Sequence, residues 1–246
     1  MAAIAVDEMT IQFKGQYKDK LWINLADALC DDSHTYHIYM WNDPVLLCYT
    51  SKGLSPLLAR TMSLFDTLKE DKFHLVNMDN LYNSATFCRH AYNPHRYQLL
   101  CHGVTRQYGH GIPSSMLQEA KINKCGIEAV HGTVKAAVLV GNPKCPYLIA
   151  LSVYNTKPVH MLLMVAEEIQ WMIKTQPVYN VHTERIESME FLCSNHQIDQ
   201  YYNNGMMDVD LADQFRGVYC LDKGAHNRKW WWSMLFWSFS VLLTNA

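Results

Sequence analysis

The chain lacks an excess of charge of either sign. Its 21 Lys and Arg residues stand against 23 Asp and Glu residues, which gives a formal net charge of −2. A strongly basic chain attracts nucleic acid through its overall electrostatic field, and this chain has no such field. Binding to nucleic acid would therefore need a local basic surface.

The short motifs of the commonest enzyme classes are also missing. The sequence contains no Walker A or G-x-G-x-x-G loop and no G-x-S-x-G motif, which argues against a nucleotide cofactor and against the common hydrolases. Its eight cysteines include no C-x-x-C pair, and its twelve histidines include no H-x-x-x-H pair backed by a Glu. We therefore expect a reducing compartment, with neither a zinc site nor a disulfide framework.

No apolar run reaches the length of a membrane span. The most apolar stretch, residues 230–243, has fourteen residues that include three serines, whereas a spanning helix needs about 20 apolar residues. A buried core helix is the better interpretation and we expect no membrane partner, although Arg228 and Lys229 before it would suit a membrane surface.

The first fifteen residues do not resemble a signal peptide. Because the sequence stops directly after the apolar run, we expect a truncated chain.

What is present is a globular composition, with 49% hydrophobic and 18% charged residues. Hydrophobic periodicity and turn signals predict strands at residues 4–13, 21–29, 36–41, 73–78 and 97–104. Helices are predicted to begin at Ser55-Pro56, where the serine can cap the helix, at Ser84, and again at Tyr201. This order predicts an α/β fold around a mixed sheet, with a β-rich insertion over residues 132–164.

Three aspartates lie within six positions near the C-terminus: Asp208, Asp210 and Asp213. Taken alone, they are typical of an acidic, solvated helix start, in which Asp208 is the N-cap beside the helix dipole. Asp210 and Asp213, three positions apart, would share a face. The apolar stripe that seats this helix is predicted to be Leu211, Phe215 and Val218.

Two further aspartates lie in or after predicted strands. Asp7 belongs to the first strand and Asp79 follows the strand at residues 73–78. Singly, Asp7 is better interpreted as a surface residue and Asp79 as part of a turn. Together with the acidic helix, however, they would converge on the crevice at the carboxyl ends of neighbouring strands. Such an oxygen-rich site suits hard cations such as Mg²⁺, and a pair of these ions can promote phosphodiester cleavage.

Five blocks of sequence, in order along nearly the whole chain, resemble piggyBac-type (IS4-like) transposases. They are VDEM with FKG at residues 6–9 and 13–15, MDNLYNS at 78–84, GVTR with GIP at 103–106 and 111–113, VDLADQ at 209–214, and RKWW with LTN at 228–231 and 243–245. Five ordered blocks are a far more specific signal than any one acidic motif.

The resemblance implies one catalytic domain over residues 1–246. Its fold would be an RNase H-like mixed sheet flanked by helices, with the core at about 1–125 and 195–246 and the β-rich insertion at about 126–194. It also implies metal-dependent DNA cleavage and strand transfer at TTAA targets. Asp7, Asp79 and Asp210 match the three catalytic acids, and Asp213 the accompanying fourth. Together they would hold two Mg²⁺ ions, for which Mn²⁺ can substitute.

The implied partner is DNA, as transposon ends and target, in the nucleus, with a homodimer as one option. Basic residues near the matched blocks are our candidates for DNA phosphate contact: Arg106, Arg216, Arg228 and Lys229.

The chain also departs from the family pattern. Met207-Asp208 stands where the family has Gly-Gly, which leaves Asp208 as a rival to Asp210, and the segment at residues 16–25 is shorter than in the family. Neither the family's N-terminal region nor its Cys-rich zinc module has a counterpart here. The alternative function is therefore a non-catalytic, domesticated or relic fragment that acts as a DNA-binding or protein-interaction module.

Overall fold

The computed structural model describes the residues that build the sheet and its helices. They are residues 2–10, 25–31, 34–40, 54–68, 73–93, 97–106, 112–113, 115, 133–139, 148–154, 158–164, 171–180, 185–194, 202–219, 221 and 230–246. The predicted shortening at residues 16–25 lies almost wholly outside them.

The secondary structure alternates strands with helices in the first half and gathers strands before the last two helices. The helices are α1 (Pro56–Leu64, continued by a 3₁₀ turn at Phe65–Thr67), α2 (Ala85–Ala91), α3 (Tyr202–Val218) and α4 (Trp230–Thr244). The strands are β1 (Ala2–Thr10), β2 (Leu25–Asp31), β3 (His34–Met40), β4 (Phe73–Met78), β5 (Tyr92–Asn93), β6 (Tyr97–Val104), β7 (Val134–Val138), β8 (Leu148–Tyr154), β9 (Pro158–Met164), β10 (Trp171–Asn180) and β11 (Arg185–Ser194).

The main sheet is mixed, with strand order β3-β2-β1-β4-β6-β9-β8-β7 and β5 paired beside β6. Strands β1, β4 and β6 are parallel, while β2 and β3 join β1 as an antiparallel hairpin. Parallel neighbours need a crossover, and α1 and α2 occupy the two connections that lead to β4 and β6. The predicted mixed α/β class is confirmed, and this order is consistent with an RNase H-like core.

The strands after β6 fall into two groups. β9, β8 and β7 extend the main sheet in antiparallel fashion, whereas β10 and β11 pair with each other in a separate two-stranded sheet. The assignment of about 126–194 as an insertion into the core stays a prediction.

Two helix starts follow directly from the sequence. Ser55 Oγ accepts from Leu58 N at 3.4 Å at the start of α1, and Ser84 Oγ accepts from Phe87 N at 3.1 Å at the start of α2. Each hydroxyl satisfies one of the amides that an α-helix leaves without an internal partner. The N-cap predicted at Ser55 is confirmed, and Ser84 caps the helix that was predicted to begin there.

Strand β1 is buried on both faces, which places it at the centre of the molecule. Ile4 and Val6 belong to the core cluster that includes residues of α1 and α2. Ala5 and Met9 belong to a second cluster, together with residues of α3 and α4. Because side chains alternate along a strand, Asp7 lies on the same face as Ala5 and Met9, under α3.

The structure decides between the two starts predicted for α3. The helix begins at Tyr202, as the onset predicted at Tyr201 indicated, so Asp208 lies inside the helix and is not its N-cap. The predicted apolar stripe is also wrong, since Phe215 and Val218 are 46% and 76% exposed. The face that α3 buries is instead formed by small residues and one arginine: Gly205, Val209, Ala212 and Arg216. Small side chains let the helix approach the sheet closely.

The last helix is a core helix on one side. Trp237 is 1% exposed and packs with Val241 against the second cluster. No helix in the described part of the chain is long and apolar enough to cross a membrane. After the helix, Asn245 holds the edge strand β3: its Oδ1 accepts from Thr35 N at 3.1 Å and its Nδ2 donates to Thr35 O at 2.7 Å.

Candidate active site

Asp7 and Asp79 lie side by side at the level where β4 ends. In the parallel pair of β1 and β4, Val6 is opposite Met78, and the next residue in each strand is an aspartate. Neighbouring strands lie about 4.8 Å apart, so the two backbones hold these acids close together. Asn77, two residues before Asp79, contacts α3. Side chains two positions apart along a strand point to the same face, so Asp79 follows on the face that Asp7 shares with α3. The structure thus brings the two strand acids to one edge of the sheet, on one face.

Helix α3 supplies the third acid. Val209 and Ala212 pack with Ala5 and Met9 of β1, and Asp210 lies between them in sequence and is exposed. Burial raises the pKa of Asp7 to about 6, with further upward contributions from the charges of Asp79 and Asp210. A hydrogen bond from Glu8 N at 2.8 Å opposes this rise. Asp7 therefore lies in the electrostatic field of both other acids.

The loop that carries Asp79 is fixed by its own sequence. The amides of Tyr82 and Asn83 both donate to Asp79 O at 3.1 Å, forming a turn that we call the Asp79 turn (residues 79–83). Asn83 Nδ2 then donates to Gly103 O at 2.6 Å and to Leu162 O at 3.1 Å. These bonds tie the turn to β6 and β9, which explains why an amide side chain is needed at position 83.

Close packing requires glycine at two positions around the site. A Cβ on Gly103 would collide with the carbonyl oxygen of Met78, and one on Gly205 would collide with the side-chain amide of Asn77. Asn77 is fully buried in β4, and its Oδ1 lies 3.0 Å from His102 Nδ1. The start of α3 therefore lies directly on β4, just before Asp79.

Tyr202, the first residue of α3, lies near Asp7 and Asp79. We call the place where Asp7, Asp79 and Asp210 approach one another the corner. The ring of Tyr202 meets the ring of His102 edge to face, with centroids 5.6 Å apart. Burial raises the pKa of its phenol to about 12, and the charges of Asp79 and Asp7 act in the same direction. Sequence reasoning missed Tyr202, Asn77 and Gly205. The polar Asn77 between the apolar Val76 and Met78 was the one available signal.

The other two acids of α3 face elsewhere. Arg216 pairs with Asp213 through Nη2 and Nε, both 2.8 Å from Oδ1, and its guanidinium lies 5.8 Å from the ring centroid of Trp237. The charges of Asp208 and Asp213 act on Cys30 of β2, whose thiol pKa rises to about 12 chiefly through burial. Of the two rivals, Asp210 is the one whose charge acts on Asp7, and its role as the third ligand stays a prediction; Asp213 is engaged by Arg216.

The predicted phosphate-contact residues differ in accessibility. Arg106 is exposed two residues after the end of β6, at the sheet edge that carries Asp79. Arg216 is 7% exposed and ion-paired, so the structure gives it a packing role. Arg228 and Lys229 lie outside the described residues. Contact with DNA remains a prediction for all four.

The three converging acids match a hard divalent cation in donor chemistry but do not form a finished coordination cage. Carboxylate oxygens are the ligands that Mg²⁺ and Mn²⁺ prefer, and a cation would relieve the repulsion that helps to raise the pKa of Asp7. Across the described ranges, no three His, Cys, Asp or Glu side chains lie close enough together to hold a metal ion. The donor set fits, and the side chains would have to close on the ion.

A comparison with protein-family models identifies the family of the chain. The family model described as Transposase IS4 matches residues 2–246. No curated protein and no solved structure matches the chain. DDE transposases generally use a divalent metal and bind DNA. Because the match covers nearly the whole chain, the protein belongs to the Transposase IS4 family and is a DDE transposase domain.

Proposed function

We propose that this domain cleaves DNA phosphodiesters and transfers DNA strands, with Asp7, Asp79 and Asp210 as its catalytic acids. The observation that supports the proposal is the pairing of Val6 with Met78, because Asp7 and Asp79 are the residues that directly follow this pair. Asp210 approaches from that helix and acts electrostatically on Asp7. Two strands and a helix thus present three carboxylates to one corner.

The chemistry assigned to the site follows from its charge. Bound Mg²⁺ or Mn²⁺, held as two ions by the three acids, would activate the attacking oxygen and stabilise the leaving oxygen of the phosphodiester. Asp7 is half-buried among like charges and is suited to accept such a cation. Exposed Arg106, at the same sheet edge, is suited to a phosphate of the bound strand. Asp213 is the fourth acid of the family pattern, and it would have to leave its ion pair with Arg216 before it could contact a cation.

The finer specificity of the domain follows from its piggyBac-type sequence blocks. We extend the proposal to transposon ends and TTAA targets as the DNA partners, to attack by water and then by a 3′-hydroxyl, and to action in the nucleus, with a homodimer as one option. The support is the order of the five blocks, three of which carry the proposed acids: residues 6–9 with Asp7, residues 78–84 with Asp79, and residues 209–214 with Asp210.

A titration and a cleavage assay test the proposal together. Wild-type protein is titrated with Mn²⁺ by calorimetry and incubated with a TTAA-containing duplex, in parallel with Asp79→Asn and with Asp31→Asn as a matched control. Asp31 is an acid at the end of β2 that accepts from Tyr36 Oη at 3.2 Å, away from the corner. We expect binding and nicking by wild type and the control, with loss of both in Asp79→Asn. Absence of both activities from wild type would reject the proposal.

A second candidate, a non-catalytic relic or interaction module, is favoured by one observation. Within the described residues the acidic side chains do not gather into a metal cluster. This candidate predicts a folded protein that binds DNA or a protein without nicking the TTAA duplex at any Mn²⁺ concentration. Metal-dependent nicking that Asp79→Asn abolishes would eliminate it.

A further inference from the structure

A buried hydrogen-bonded set lies on the sheet face opposite Asp7. The carboxylate of Asp27 accepts from Tyr82 Oη at 2.7 Å through Oδ1 and from Arg60 Nε at 3.1 Å through Oδ2. Asp27 is 0% exposed and Tyr82 is 1% exposed. We call these three residues the Asp27 set. A buried carboxylate is stable only when its partners stay in place, so the set fixes the distances among β2, α1 and the loop after β4.

The Asp27 set reaches Asp79 through one short piece of backbone. Tyr82 is the fourth residue of the Asp79 turn, and its amide donates to Asp79 O at 3.1 Å while its phenol is bound to Asp27. On the other side of the turn, Asn83 is bound to the carbonyls of Gly103 and Leu162. The turn is therefore held from both sides, and Tyr82 is its link to β2.

We propose that Asp27, Tyr82 and Arg60 are positioning residues that hold the Asp79 turn in the place where Asp79 can share a cation with Asp7. The proposal rests on the proposed function, because it takes Asp79 as a cation ligand. Asp27 itself faces α1, on the side of the sheet away from Asp7, and is neutralised by Arg60. It acts through the phenol and the backbone of Tyr82 and not by touching the ion.

The test removes one hydroxyl from each of two Tyr–Asp pairs whose aspartates both lie on β2. Tyr82→Phe deletes the donor to Asp27, and the control Tyr36→Phe deletes the exposed donor to Asp31. In metal-free protein, we expect Tyr82→Phe to speed hydrogen exchange at the amides of Tyr82 and Asn83 by about tenfold, with no change in the control. We expect the affinity for Mn²⁺ to fall about tenfold in Tyr82→Phe, the lower end for a partner behind a metal ligand.

A general loss of stability must not imitate this result. Met62→Ala removes a buried side chain from α1, the helix that carries Arg60, and leaves the three hydrogen-bonding side chains intact. It should lower the melting temperature without altering the Mn²⁺ affinity. Faster exchange in Tyr82→Phe with unchanged Mn²⁺ affinity, or an equal fall in Met62→Ala, would overturn the proposal.

Two further variants keep the proposal testable if Tyr82→Phe does not fold. Asp27→Asn retains an oxygen that accepts from the phenol, whereas Asp27→Leu does not, and both remove the charge beside Arg60. Slow exchange at the two amides should persist in Asp27→Asn and be lost in Asp27→Leu; equal exchange would overturn the proposal. A wild type without Mn²⁺ binding or cleavage would reject the proposed function instead, and the exchange comparison would still decide whether the Asp27 set holds the turn.

Discussion

Two carboxylates on neighbouring strands, Asp7 on β1 and Asp27 on β2, face opposite sides of the sheet in contrasting surroundings. Asp27 is fully buried and is matched by the guanidinium of Arg60 and the phenol of Tyr82. Among the described residues, Asp7 has the amide of Glu8 as its hydrogen-bond donor, and its charged neighbours are further acids. A carboxylate that serves the fold is neutralised by the protein. One left among like charges is suited to an external cation.

Helix α3 repeats the same contrast within a single turn. Asp213 is paired with Arg216, whose guanidinium lies over the ring of Trp237. Asp210 is exposed, and its charge contributes to the raised pKa of Asp7. These five aspartates therefore divide into a paired group, Asp27 and Asp213, and a converging group, Asp7, Asp79 and Asp210.

The largest expected effect is on catalysis in the converging group. Asp79→Asn should lower the rate of DNA nicking by more than about 100-fold, since even partners behind a metal ligand cost about 10–100-fold. The free energy of unfolding should stay the same or rise, because the substitution removes one of three repelling charges. Nicking rates under single-turnover conditions and urea denaturation measure the two quantities. A large loss of stability with little loss of nicking would place Asp79 in the paired group.

The next effect is on stability in the paired group. Asp27→Ala leaves Arg60 without its carboxylate and Tyr82 without its acceptor, in a buried site. Breaking a buried ion pair from one side costs about 3–5 kcal/mol; we expect about 3 kcal/mol, because the Arg60 side chain is 13% exposed and can reach water. Urea denaturation against wild type and Asp31→Asn gives the difference. A cost near that of the exposed control would mean that Asp27 is not structurally required.

The sequence predicted the positions of these acids better than their partners. Strands β4 and β6 have the predicted bounds because each is a short apolar run between turn residues, and Ser55-Pro56 and Ser84 marked the starts of α1 and α2. The N-cap role predicted for Asp208 was wrong because α3 already begins at Tyr202. The early start depends on Gly205 fitting against Asn77, a contact between distant segments. The partners of Asp27 are 33 and 55 positions away, and no local pattern indicates such pairs.

A smaller effect is expected at Asp213. Asp213→Asn removes the charge beside the buried Arg216, but the amide oxygen can still accept from its guanidinium, so we expect a cost of about 1 kcal/mol of stability. Its effect on Mn²⁺ affinity should be much weaker than that of Asp210→Asn, because Arg216 already engages Asp213. Calorimetric titration of both variants makes the comparison. Equal losses of affinity would establish Asp213 as a fourth ligand and move it into the converging group.

The smallest effect is a dependence of stability on pH that comes from Asp7. Its pKa of about 6 lies above the ordinary value of 3.8. Between these values the folded protein binds more protons than the unfolded chain, so stability falls as the pH rises. As far as Asp7 is concerned, the free energy of unfolding is highest below pH 3.8 and lowest above pH 6, where the folded protein also carries the charged carboxylate. Burial lowers the pKa of His160, which gives the opposite slope, so a variant is needed to isolate Asp7.

Asp7→Asn provides that variant, because an amide oxygen can still accept from Glu8 N while the charge is gone. Without metal, its melting temperature should equal that of wild type near pH 4 and exceed it by about 2 °C or less at pH 8, since solvent screens a half-exposed group. Added Mg²⁺ should reverse the order at pH 8 by stabilising wild type alone, because a ligand that binds only the folded state raises its stability. If wild type and variant melt in parallel from pH 4 to 8, with and without Mg²⁺, Asp7 does not lie in a field of unpaired acids, and its contrast with Asp27 disappears.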